Sequence, residues 1–126
     1  NTQATIWRGQ EFFGHLYIPA LVSFRFCDIL KMYVTQTRIP LLHAGFLVWQ
    51  DRNPHDLLTD FESEVSMYLQ SDLVSHTVPS CRGKELAQVY SHLASLGVCS
   101  PMEVYGAEKF AEATESAITA STAPPV

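Results

Sequence analysis

From residue 53 the chain reads NPHDLLTDFESEVSMYLQ, and no other segment constrains the fold as strongly. Asn53 offers a side-chain acceptor where a helix begins, and Pro54 follows at a position that needs no amide donor. Asp56 falls in the first turn, where the helix field favours a carboxylate. Leu57, Leu58, Phe61, Val65, Tyr68 and Leu69 then recur at three- and four-residue steps. The spacing predicts an amphipathic helix over residues 54–70, with those side chains inward and Asp60, Glu62 and Glu64 outward.

Weaker patterns surround it. Residues 24–37 predict a helix capped by Ser23 and ended by Pro40, with Phe26, Ile29, Leu30, Tyr33 and Val34 on its apolar face. Arg25, Asp28 and Met32 share the neighbouring face. Residues 84–97 predict another helix, lined by Leu86, Val89, Tyr90, Leu93 and Leu96 and stopped by Gly97. A weaker helix is expected at 102–118. Residues 1–23 read as an irregular or β-rich lead-in, with Thr5-Ile6-Trp7 as a short strand, and GFLVWQ at 45–50 reads as a buried strand. The expected fold is therefore α/β or mostly α, with a few short strands and three to four helices. Residues 1–110 form the domain and 111–126 a flexible tail.

Size and charge bound the function. A chain of 126 residues supports one domain with a core. Eight Lys and Arg against thirteen Asp and Glu give a net charge of −5, which excludes a general attraction to nucleic acid or anionic lipid. No apolar run approaches a membrane span, and no basic start followed by an apolar block marks a secretory signal, so a soluble chain is expected. Cys27, Cys81 and Cys99 lie too far apart for a zinc knuckle, and His15, His43, His76 and His92 show no HxxxH spacing, so no metal site is expected. The cysteines read as buried thiols, or as one bridge from Cys81 to Cys99.

Two polar groups could carry chemistry. Gln50-Asp51-Arg52-Asn53-Pro54-His55-Asp56 lies where the expected strand meets a helix. There Arg52 could grip a phosphate or carboxylate and His55 could act as acid, base or ligand. Equally, Asn53 caps, Arg52 pairs with Asp56 or Asp60, and His55 faces water. The second group is Arg25 and Asp28, either an oriented base with its cation or a surface ion pair worth under about 1 kcal/mol. Their apolar neighbours Phe24, Phe26, Cys27 and Ile29 place them at partly buried surface or at the lip of a pocket.

Together, YIPALVSFRFCDILKMYVTQ and WQDRNPHDLLTDFESEVSMYL resemble two motifs of the STELLO glycosyltransferase-like family. The first matches its Pro, Arg-x-x-Asp-Ile and later Gln, and the second its Gln-x-Arg-Asn-x-His-Asp-Leu, Asp-Phe and Tyr-Leu. The resemblance covers residues 5–70. It implies the acceptor-side part of a GT-A-like sugar-nucleotide transferase and, for plant relatives, a Golgi membrane protein of cell-wall synthesis. By motif position, Asp28 would orient or deprotonate a sugar hydroxyl as the catalytic residue. Arg25, Gln36, Arg52, Asn53 and His55 would bind substrate.

The sequence also departs from that family. Leu30-Lys31 replaces a Trp-Arg, and no Asp-x-Asp metal clamp occurs. The nucleotide-binding half would lie before Asn1, so a divalent metal and a nucleotide sugar are implied only for a longer relative, and this chain holds no cofactor of its own. The resemblance thus implies a glycosyltransferase segment that is inactive alone, with a carbohydrate acceptor as its partner. The alternative is a non-catalytic interaction domain for a protein partner, which predicts an exposed apolar patch over Trp7, Phe12 and Phe13.

Overall fold

The computed structural model describes residues 5–7, 14–40, 42, 45, 49, 51, 54 and 56–122, without the side chains of residues 63 and 122. Among the described residues there are four α-helices: α1 (Cys27–Thr35), α2 (Leu57–Thr77), α3 (Leu86–Ser95) and α4 (Met102–Thr122). A 3-10 turn, Val78–Cys81, continues α2. No strand occurs among the described residues, which overturns the expected α/β fragment with short strands. Thr5-Ile6-Trp7 is irregular, and Trp49, expected in a buried strand, is 93% exposed. A short apolar run carries no period of its own to separate strand from other conformations. Residues 46–48 and 50 lie outside the described residues.

The core gathers at the centre of these helices. Phe26, Leu30 and Val34 come from α1 and its cap, and Met67 and Val74 from α2. Val89, Tyr90 and Leu93 come from α3, and Ala107 from α4. Val78, Cys81, Val98 and Cys99 fill the connections. All three cysteines are free, so Cys81 and Cys99 form no bridge.

The helix ends show why each begins and stops where it does. Asp56 caps α2, which begins at Leu57 rather than at residue 54: its Oδ1 accepts from the amides of Leu58 (3.0 Å) and Thr59 (3.4 Å), and its Oδ2 from the Thr59 hydroxyl. The helix then runs seven residues past the expected end. At α1 the Phe26 amide bonds the Ser23 carbonyl (2.8 Å) in a turn, so the helix starts after Phe26 and the Ser23 hydroxyl makes no cap bond. Glu85 and Gln88 form a capping box on α3. Its other end closes with Val98 N–H on Leu93 O and Gly97 N–H on Ala94 O, both 3.0 Å, around Gly97 at φ +74°. That left-handed backbone suits glycine. α4 continues to Thr122, so the expected tail from residue 111 is helical that far.

Two polar ties hold the periphery to this frame. Arg38 donates to the Lys84 carbonyl at 3.0 and 2.8 Å and pairs with Glu85 at 2.8 Å, joining the end of α1 to the start of α3. Glu103, only 1% exposed, accepts from the Tyr17 hydroxyl and the Leu21 amide, strapping residues 17–21 across the first turn of α4.

Candidate interaction surface

α2 is turned over relative to the sequence expectation. Leu57 (79% exposed), Leu58 (78%), Phe61 (65%), Tyr68 (66%) and Leu69 (72%) face out, flanked by the less exposed Val65 and Leu73. The inward line is instead Asp60, Glu64, Met67, Ser71, Val74 and Val78, again at three- and four-residue steps. It starts polar with Asp60 and Glu64 and, apart from Ser71, is apolar from Met67 onward.

Arg25 lies against the polar start of that inward line. Its guanidinium, at the start of the first motif, pairs with Asp60 and reaches Glu64 at 3.9 Å, two carboxylates one turn apart on α2. All three side chains are between 27% and 35% exposed. Seating Leu57, Phe61 and Leu69 inward would turn those carboxylates away from Arg25, while Met67 and Val74 already fill the core contact.

The other expected site residues are dispersed or lie outside the described residues. Asp28 is half-buried in the first turn of α1, where the helix field favours a carboxylate. It lies near Lys31, whose ammonium sits 5.3 Å over the Trp7 ring. Burial pushes the Lys31 pKa down, and Asp28 offsets part of that shift. Gln36 is exposed at the far end of α1 and donates back to the Met32 carbonyl at 3.2 Å. Arg52, Asn53 and His55 lie outside the described residues. So do Phe12 and Phe13 of the expected apolar patch, whereas the observed patch lies on α2.

The densest buried chemistry lies elsewhere, around Glu103. Tyr17 meets Tyr90 edge-on, with ring centroids 5.2 Å apart, and tilts against Phe110 at 5.5 Å. The Tyr90 hydroxyl is buried without a hydrogen-bond partner. Burial pushes both phenols above their usual pKa, and Glu103 adds to each shift. Burial likewise lifts the Cys99 thiol to about 11, so at neutral pH it is protonated and a poor nucleophile. Glu103 is committed to two donors in a closed site, an arrangement that fastens a strap rather than receives a substrate. Sequence reading missed it: Ser100 and Glu103 have capping-box spacing, but the donors that take the carboxylate are 82 and 86 residues away.

Among the described residues no group of three metal-binding side chains occurs, and no helix is long and apolar enough to cross a membrane. An open depression formed by Glu112, Glu115, Ser116, Thr119 and Ala120 on α4 shares no residue with either sequence motif. No family model, curated protein or solved structure matches the chain.

Proposed function

We propose that this chain is a non-catalytic protein-interaction module whose working surface is the outer face of α2. The carrying observation is the apolar ridge from Leu57 to Leu73, seven large side chains on one helix that are each at least 40% exposed. Scattered exposed leucines are ordinary, but contiguous apolar patches beyond a few hundred Å² on soluble proteins mark contact sites. The polar groups point the same way, because Arg25 and Glu103 are both engaged in holding the fold.

The substitution pair Phe61→Asp with Leu69→Asp tests this reading. Two exposed side chains contribute little to folding, so far-UV circular dichroism is retained and stability changes by no more than about 1 kcal/mol. Binding of a dye that reports apolar surface falls. If the pair instead unfolds the chain, as core substitutions costing about 3–5 kcal/mol each would, the face is internal and the reading fails.

A remnant carbohydrate site is the second reading, favoured by one observation: Arg25 of the first sequence motif pairs with Asp60 and Glu64 of the second. Calorimetric titration with a uridine-diphosphate sugar is expected to give no binding heat for this chain. Tight binding would restore that reading over the first.

A further inference from the structure

We infer that the occupant of the α2 face is an amphipathic helix with basic flanks, supplied by a protein partner; this rests on the interaction reading above and adds the partner's chemistry. The face is long and narrow. Sixteen residue steps from Leu57 to Leu73 span roughly 24 Å, the length of a four- to five-turn helix. Its seven side chains present on the order of 700 Å² of apolar surface, close to one partner's share of a standard interface. An apolar stripe of this shape packs against a second helix laid along it, as in coiled-coil zippers.

Charge selects among occupants. α2 carries Asp60, Glu62, Glu64 and Asp72 and contains neither Lys nor Arg, and Asp56 caps its start. Glu62 is exposed beside the ridge, and the Asp72 side chain, 81% exposed, lies at its C-terminal end with the His76 Nδ1 3.6 Å away. Arg25, in the turn before α1, meets Asp60 and Glu64 on the inward side, which leaves Glu62 and Asp72 as the carboxylates beside the ridge. A second copy of the chain would lay this acidic rim against itself. An anionic membrane would be repelled by it, since membrane-surface helices carry Lys and Arg on their polar face. A partner helix with Leu-like anchors at three- and four-residue spacing and Lys or Arg beside them satisfies both the apolar ridge and the carboxylates. Screening of these exposed charges makes the association salt-sensitive.

The test uses the full chain and two fluorescent 18-residue helical peptides, one of Leu and Lys and one of Leu and Glu with the same Leu spacing. The Leu/Lys peptide is expected to bind, more weakly as salt is raised, and the Leu/Glu peptide to bind at least about tenfold more weakly. Phe61→Asp lowers Leu/Lys affinity at least about tenfold. Glu62→Lys with Asp72→Lys shifts the preference toward Leu/Glu, and Glu112→Lys on α4 leaves it unchanged. Equal binding of both peptides, or binding indifferent to Phe61→Asp, overturns the inference. A sedimentation mass of twice 14.1 kDa that Phe61→Asp halves also overturns it, in favour of a second copy. If no peptide binds but Phe61→Asp with Leu69→Asp still removes the dye signal, the partner chemistry falls and the interaction face stands. Loss of both signals removes both.

Discussion

Replacing Gly106 by alanine sets two local effects against each other. Gly106 lies inside α4, where alanine is favoured over glycine by about 1 kcal/mol on helix propensity alone. At this position, however, a Cβ would overlap the Tyr17 hydroxyl and stand 3.3 Å from its Cζ. Tyr17 cannot simply swing aside: its hydroxyl is bonded to the buried Glu103, and its ring packs on Tyr90 and Phe110. Forcing atoms into such a site costs about 1–3 kcal/mol, so the clash outweighs the propensity gain and Gly106→Ala destabilises by about 1–2 kcal/mol. A double-mutant cycle with Tyr17→Phe separates the effects. Removing the hydroxyl costs about 1–3 kcal/mol through the lost charge-assisted hydrogen bond, but clears the worst overlap. In that background Gly106→Ala should be neutral or stabilising by up to about 1 kcal/mol, a coupling of at least about 1 kcal/mol. Urea unfolding of the four proteins with a common slope measures it. If Gly106→Ala stabilises the parent chain as much as the Tyr17→Phe chain, Tyr17 does not strap α4 and the fastening role of Glu103 is wrong.

Two further outcomes follow from the same contacts. Cys99, Tyr17 and Tyr90 are all held protonated above their ordinary ranges, so the unfolded chain loses protons first. Stability is then complete below about pH 9 and falls as pH rises, from Cys99 between pH 9 and 11 and from the tyrosines above pH 10. Thermal melts from pH 8 to 11 check this, and Cys99→Ala should remove the earliest part of the decline; a flat profile to pH 11 would refute the burial of these groups. Arg25→Met should lower stability slightly, because Asp60 and Glu64 lose their shared cation at a solvent-screened surface. Hydrogen exchange should quicken in the first turns of α2 and not in α3, whereas unchanged exchange would mean that Arg25 does not seat the helix.

How far the sequence could be read depended on the range of the cause. The apolar face of α1 is the observed core line, with Phe26, Leu30 and Val34 buried and Ile29 and Tyr33 packed beside them. α3 behaves likewise from Leu86 to Leu93 and stops at Gly97, because a left-handed glycine ends a helix wherever it occurs. Leu96, placed on that line by spacing, is 41% exposed, since the chain leaves helical geometry there. In α2, periodicity showed an amphipathic helix but could not choose its inward face. The observed inward line meets Arg25, 35 residues before Asp60, at its polar start and continues through Met67 and Val74 into the core, contacts that lie outside any local pattern. Burial of Glu103 was equally illegible, since Tyr17 and Leu21 lie at the other end of the chain. Of the residues singled out for sugar binding, Arg25 takes part in the fold and Gln36 turns back on its own helix.

Which side of α2 meets solvent decides whether the chain has the interaction face proposed for it. Hydroxyl-radical footprinting of the dilute chain reads this side chain by side chain. We expect Phe61, Tyr68 and Leu69 to label several-fold faster than Phe26, Leu30 and Tyr90, which are fully buried. Labelling of Phe61 and Leu69 as slow as that of Phe26 would mean that the ridge is core, and the interaction surface proposed for it does not exist.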